Sequence, residues 1–274
     1  MDLLVFTDLD GTLLNHKDYS YEAAHPALEK IRSRQIPLIF TSSKTRPEIE
    51  ALQSYMQIRE PFIAENGAAV FFPDNYLNFK IDAGIRRFPY TVVQLGSEYS
   101  EIRQFMRSIK DRFNLKGFGD LSVEEIALLT GLTPEQALMA RQREFTEPFL
   151  IEDESMIEEL VPIAASQGLK ITSGGRFFHL ISNRQDKGFA VRICKEIFSR
   201  NIGGKTVTVG LGDSANDITM LESVDIPILL PRIDGSFEEI DIHNLIKADK
   251  PGSRGWNDAI LNVLKNLNER SIDR

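Results

Sequence analysis

The chain has 274 residues, 42% of them hydrophobic, with a formal net charge of −8; this is enough to build one large core or two smaller ones. No stretch gathers Lys and Arg with interleaved aromatics, which excludes a nucleic-acid partner of the usual electrostatic kind and leaves room only for a small anion met by a few local cations. Cys194 is the sole cysteine, so no intrachain disulfide or cysteine-based zinc site can form, and a reducing cytoplasm is expected.

The longest apolar runs, such as LLVF and IPILL, fall far short of a membrane span, and the start of the chain lacks the basic-then-apolar layout of a signal peptide. Neither a membrane nor export is expected.

In chain order, LLVFT reads as a strand, residues 21–34 contain an amphipathic helix limited by Pro26, IPLIF is a second strand, and a helix follows from Thr45 to Met56. Thr45 and Glu48 form a capping box and Pro47 sits in the first turn, which fixes that helix start. This β-α-β-α rhythm implies parallel strands with crossover helices. In FIAENGAAVFF the rhythm breaks, because Asn66-Gly67 between two apolar runs signals a hairpin.

Residues 84–183 read as a separate α+β unit. It holds a strand in YTVVQLG, a helix over 100–113, capping boxes at Ser122–Glu125 and Thr133–Gln136, a strand in EPFLI, a helix from Asp153 to Gln167, and the strands LKIT and RFFHLIS. At residue 187 the first rhythm resumes with the helix KGFAVRICKEIFSRN, the strand TVTVGLG, a helix in SANDITMLESV, the strand IPILL and a last helix beginning near Trp256. The expected fold class is α/β: a doubly wound parallel-sheet core of residues 1–83 and 184–274, interrupted by an inserted α+β domain of residues 84–183.

In open parallel sheets ligands bind beyond the carboxyl ends of the strands. That rule selects Asp8–Thr12, Ser42–Lys44, Glu65–Ala68 and Gly212–Asp217, with Lys187 opening the helix that re-enters the core. Asp8, Asp10 and Asp213, with Asp217 four residues on, would repel one another unless a hard cation joined them, and magnesium is the expected metal. A single DLDG or GDSAND is as readily a strand-end turn with Asp caps; two of them at the ends of two apolar strands favour chemistry.

Lys44 and Lys187 lie at helix starts, where the macrodipole disfavours a cation by roughly 0.3–1 kcal/mol, and a bound anion would reverse that cost. Ser42 and Ser43 beside Lys44 offer hydroxyl and backbone donors to such an anion, although capping would also explain them.

DLDGT at 8–12, Ser42 after IPLIF, Lys187 in DKG and GDSAND at 212–217 resemble, in order, the four motifs of haloacid-dehalogenase-type phosphatases. The placement of the insert is similar to that of members with an α/β cap over the site. More narrowly, FTSSKTRPE, ENGAA, RQREFTEPF, GGRFFHL, GDSANDITMLESVDIPIL and GWNDAIL resemble the mannosyl-3-phosphoglycerate phosphatases, with Ser43-Lys44-Thr45 standing where other capped members have Thr-Gly-Arg.

The resemblance implies that Asp8 attacks phosphorus and forms an aspartyl-phosphate, and that Asp10 is the acid and base. It implies that Asp8, Asp213 and the Asp10 carbonyl hold magnesium, with Asp217 behind them or ligating directly. Ser42, the Ser43 amide and Lys187 would clamp the phosphate, and Asn216 would orient the phosphate or Asp8 unless it only caps its helix.

Substrate contacts implied with it are Lys44, Glu65, Asn66, Arg143, Glu144, Arg176 and His179; Glu65 and Asn66 double as hairpin residues, and Glu144 as an ion-pair partner. Hinges are expected near residues 82–86 and 182–186. The implied substrate is a phosphorylated sugar-glycerate; a broad sugar-phosphate phosphatase, a phosphohexomutase or a non-catalytic sugar-phosphate binder are the alternatives.

Overall fold

The computed structural model describes residues 2–174, 177–204 and 206–272. Strand β1 (Asp2–Thr7) turns Leu3 and Val5 into one apolar cluster and Leu4 and Phe6 into another, the pattern of a strand covered on both faces. Helix α1 (His25–Ser33), with Pro26 in its first turn, leads to β2 (Leu38–Thr41), and α2 (Arg46–Met56) leads to β3 (Phe62–Ala64). The expected capping box is present, with the Thr45 amide donating to Glu48 Oε2 at 2.8 Å. The Asn66-Gly67 turn reverses the chain into β4 (Ala69–Pro73), antiparallel to β3.

Next come β5 (Ile85–Arg87) and β6 (Tyr90–Gln94), and here the structure departs from the expected boundary. The expected insert of residues 84–183 includes both, yet β6 pairs with β4, and β5 forms the outer edge beyond it. Local periodicity identified a strand in YTVVQ but carried no information about its partner.

The inserted unit continues through α3 (Tyr99–Phe113), β7 (Leu115–Gly117), α4 (Val123–Thr130), α5 (Pro134–Arg141), β8 (Glu147–Ile151), α6 (Ile157–Ser166), β9 (Leu169–Gly174) and β10 (Phe177–Ser182). The chain then returns through α7 (Lys187–Ile202), β11 (Thr206–Gly212), α8 (Ile218–Glu222), β12 (Ile226–Leu229), β13 (Ile246–Lys247) and α9 (Gly252–Ile272).

Among the described residues the strands form two sheets. The larger runs β13-β12-β11-β1-β2-β3-β4-β6-β5, parallel as far as β3 and antiparallel after it; the smaller, β7-β8-β10-β9, is antiparallel throughout. Side chains of α1, α2 and α9 cover one face of the larger sheet, and those of α7 and α8 cover the other, which is the doubly wound arrangement. Trp256 of α9 is fully buried and its indole N–H donates to Thr7 Oγ1 at 3.0 Å, so the last helix is fastened to the strand that opens the site. One face of the smaller sheet packs on α3 and α6 through Phe149, Phe178 and Leu180.

The chain leaves and re-enters the core at one place. Leu95 and Gly96 both donate backbone N–H to the Ala68 carbonyl at 2.8 Å, while Gln185 on the returning segment donates to the Glu65 carbonyl at 2.9 Å. A side chain on Gly96 would lie 2.6 Å from Gln185 Oε1, so the two passes run in contact.

Candidate active site

The end of β1 is tied to β11 by the Asp8 amide, which donates to the Leu211 carbonyl at 2.9 Å. Gly11 then turns at φ 83°, and a Cβ there would come within 2.4 Å of Asp213 Oδ2; glycine is required on both counts. Thr12, which closes the selected segment Asp8–Thr12, donates its hydroxyl to Asp213 Oδ1 at 3.1 Å. Carboxylate oxygens of Asp8, Asp213 and Asp217 gather within 4.8 Å of one another.

Buried Lys187 bridges this cluster, with Nζ 2.5 Å from Asp8 Oδ1 and 2.6 Å from Asp217 Oδ1. Burial works against its charge, but Asp217 and Asp8 outweigh it and hold the ammonium protonated. The other oxygen of Asp217 accepts the backbone amides of Asp213 and Ser214 at 3.1 and 3.2 Å, so both its oxygens have protein partners. Burial raises the Asp8 carboxyl well above the ordinary range, against Lys187 and with help from its acidic neighbours; burial and then Asp217 push Asp213 up to about 6. A donor set made only of carboxylate oxygens, with protonation favoured by burial first and by acidic neighbours second, fits a hard divalent cation.

Asp10 lies apart from that cluster. Its Oδ2 pairs with Lys44 Nζ at 2.9 Å, and its Oδ1 is buried with no hydrogen-bond partner in the protein. The Lys44 ammonium, opposed by burial, is held charged chiefly by Asp10. Buried Ser42 accepts the Lys44 amide on its hydroxyl at 3.2 Å, and its carbonyl takes the Asn66 amide at 2.9 Å. The Asn66 side chain in turn accepts from Asn216 Nδ2 at 3.1 Å, which links the hairpin to the 212–217 loop. Both lysines chosen for an anion therefore also neutralise candidate catalytic acids, a pairing across 34 and 179 residues that spacing alone did not disclose.

Glu65 takes a place that the sequence did not suggest. It is buried, and its carboxylate accepts the Glu144 amide at 2.8 Å, the Phe145 amide at 3.3 Å and the Thr146 hydroxyl at 2.5 Å. Arg143 donates to the Ser43 carbonyl at 2.9 Å, Thr45 Oγ1 to the Met139 carbonyl at 3.0 Å, and Arg46 pairs with Glu144 at 2.7 Å. Residues 139–146 are thus clasped to the loop carrying Ser42–Lys44 and to the hairpin. Sequence patterns do not single out Arg46, Thr146 and Gln185, each of which has a partner remote in the chain.

On β10, His179 has a buried Nδ1 without a partner; burial first and the Arg143 charge second push it down to about 3, so the ring is neutral. Arg176 lies outside the described residues.

Glu65→Ala should lower stability by about 2–3 kcal/mol, since two backbone amides and a hydroxyl would lose their acceptor in a buried site. Urea denaturation monitors this, with limited proteolysis reporting release of the 139–146 segment; an unchanged midpoint would show that water replaces the carboxylate without cost.

Residues 5–85 match the family model of haloacid dehalogenase-like hydrolases. A glucosyl-3-phosphoglycerate/mannosyl-3-phosphoglycerate phosphatase from Persephonella marina is 52% identical, covering 97% of this chain and 98% of that enzyme. The enzyme of the same name from Methanococcoides burtonii is 40% identical over 98% and 100%. Among solved structures, a phosphatase of the haloalkanoate (HAD) enzyme superfamily from Bacteroides thetaiotaomicron superposes with a TM-score of 0.65 at 17% identity, covering 96% of this chain and 95% of the other. With the motifs converging at the strand ends and relatives matched over nearly their whole length, the chain belongs to the haloacid dehalogenase-like hydrolases, in the family of the glucosyl-3-phosphoglycerate/mannosyl-3-phosphoglycerate phosphatases.

Proposed function

We propose that this protein is a magnesium-dependent phosphatase that hydrolyses mannosyl-3-phosphoglycerate and its glucosyl counterpart to the glycosylglycerate and phosphate. The observation that carries the chemistry is the convergence of Asp8, Asp213 and Asp217 beyond the ends of two neighbouring strands, with Lys187 at the start of α7 bridging Asp8 and Asp217. The substrate rests on the full-length relatives.

In this reading an Asp8 oxygen forms a bond to phosphorus as the bond to the glycerate oxygen breaks, leaving an aspartyl-phosphate. Asp10 gives a proton to the departing oxygen, then takes one from the water that cleaves the acyl phosphate. Lys187 holds one Asp8 oxygen and so fixes the nucleophile's orientation. Ser42, the Ser43 amide and Lys187 receive the phosphoryl oxygens, and Lys44 faces the substrate beside Asp10.

Asp8, Asp213 and the Asp10 carbonyl would hold the metal, with Asp217 fixing Lys187 and the 213–214 backbone behind them. When bound, the cation supplies positive charge against the phosphoryl oxygens. Asn66 and Asn216 brace the phosphate side, whereas Glu65 acts by holding the segment that carries Arg143 and Glu144. His179, and Arg176 with it, belong to the sugar-glycerate side.

The inserted unit is a cap, and because β5 and β6 lie in the large sheet its hinges fall near residues 95–98 and 182–186. A cytoplasmic setting completes the proposal, in keeping with a single buried, unpaired cysteine.

Phosphate release from the manno and gluco substrates and from unrelated hexose phosphates, before and after metal removal, tests this. Release is expected only with the glycosyl-phosphoglycerates, lost on chelation and restored by magnesium. Equal rates on hexose phosphates would overturn the substrate assignment, and an isomerised phosphate without free phosphate would identify a mutase.

A further inference from the structure

Arg103 of α3 is buried inside the inserted unit and takes no part in the reaction proposed above. Its Nη1 donates to Glu147 Oε1 at 2.7 Å and to Asp120 Oδ2 at 3.2 Å, and its Nη2 donates to Asp120 Oδ1 at 2.6 Å. Glu147, fully buried at the start of β8, also accepts the Tyr99 phenol at 2.5 Å and the Gly119 amide at 2.9 Å. Asp120 Oδ2 accepts the Gly117 amide at 3.2 Å. Enclosing an arginine with a glutamate carries a large desolvation cost, and apolar side chains of the same volume often hold a fold as well or better. What such a network offers in exchange is fixed geometry.

That geometry converges on Arg143 from two sides. At the start of β8, Tyr99 grips the chain twice: its phenol holds Glu147, and its amide donates to the Glu144 carbonyl at 2.9 Å, next to Arg143. After β7, Asp120 holds the turn that carries Phe118, and the Arg143 guanidinium lies 5.9 Å from the centroid of that ring. The turn is shaped to the network, since a Cβ on Gly117 would collide with Glu147 Oε1 and one on Gly119 would lie 2.6 Å from Arg103 Nε. Arg143 then crosses to the core and donates to the Ser43 carbonyl at 2.9 Å, while its Nε stays with the Ala140 carbonyl of its own loop at 2.9 Å.

We propose that Arg103 is a positioning residue for the phosphatase reaction: acting through Glu147 on one side and through Asp120 and Phe118 on the other, it sets the Arg143 guanidinium against Ser43. The inference rests on the reading above, in which Arg143 meets the substrate and the Ser43 amide receives a phosphoryl oxygen, and adds what holds that arginine in register. Glu65 grips residues 144–146 from the core, so the segment is fixed from both domains. The planar fork of a guanidinium serves two carboxylates at fixed angles, which the single ammonium of a lysine does not.

The test compares Arg103→Lys, Phe118→Leu and Arg143→Met, singly and in pairs with the last, on mannosyl-3-phosphoglycerate. Arg103→Lys keeps the charge and loses the fork, and should lower kcat/KM by about tenfold, mainly through KM. Phe118→Leu leaves every ion pair in place, should give the same pattern at about threefold, and decides the matter alone if the lysine variant does not fold. In the Arg143→Met background each substitution should cost less than about a further twofold, because nothing remains to be positioned. Equal losses in both backgrounds would make Arg103 a structural residue only and overturn the proposal, as would a native KM in both single variants. A native KM in Arg143→Met would instead remove Arg143 from the substrate side, and a native enzyme inactive on this substrate would remove the substrate; either would overturn the underlying reading and the inference with it.

Discussion

Asp8→Asn should abolish turnover, lowering kcat by about 10⁴-fold or more, while substrate still binds. The amide keeps the shape of the carboxylate and can still offer an oxygen to Lys187 Nζ, which lies 2.5 Å from Oδ1 in the native protein. It can no longer attack phosphorus. Single-turnover kinetics and binding calorimetry with the same substrate separate the two effects. Retained turnover would remove Asp8 from the nucleophile role, whereas loss of binding and turnover together would make it a structural anchor instead.

A second large effect should follow from Lys187→Met. Its ammonium is the bridging cation between Asp8 and Asp217 and is completely enclosed. Methionine of similar length fills the volume but leaves two buried carboxylates facing each other. The expected destabilisation is about 3–5 kcal/mol, the usual consequence of breaking a buried ion pair on one side. Activity should fall by about 10²–10³-fold as well, since in the proposed mechanism this ammonium orients Asp8 and meets the phosphoryl group. Guanidinium denaturation reads the first number and initial rates the second. A denaturation midpoint equal to that of the native protein would mean that Asp8 and Asp217 tolerate each other, and the electrostatic account of this centre would be wrong.

What the sequence disclosed about fold and site follows from how far apart the interacting parts lie. The strand in LLVFT, the helix starts at Thr45, Ser122 and Thr133, and the Asn66-Gly67 reversal depend on neighbours within four residues and were legible. Acids after a strand end are likewise a local pattern, so Asp8, Asp10 and Asp213 could be chosen without coordinates.

The partner of β6 could not, because the alternation in YTVVQ is the same whether the strand extends the large sheet or starts a new one. Glu65 illustrates the same limit in the site: as a hairpin residue it looked available to a ligand, but its carboxylate is engaged by residues 79 to 81 positions downstream.

The contact between residues 95–96 and 182–185 has an evolutionary consequence. Entry and exit of the insert are neighbours stitched to a single hairpin, so the segment between them can be lengthened, shortened or exchanged without moving a strand that bears a candidate catalytic acid. Selection can therefore act on the two halves of the molecule at separate rates, retaining the reaction while the choice of leaving group drifts. A chimera joined at those two crossing points is the natural way to give this catalytic sheet a new clientele.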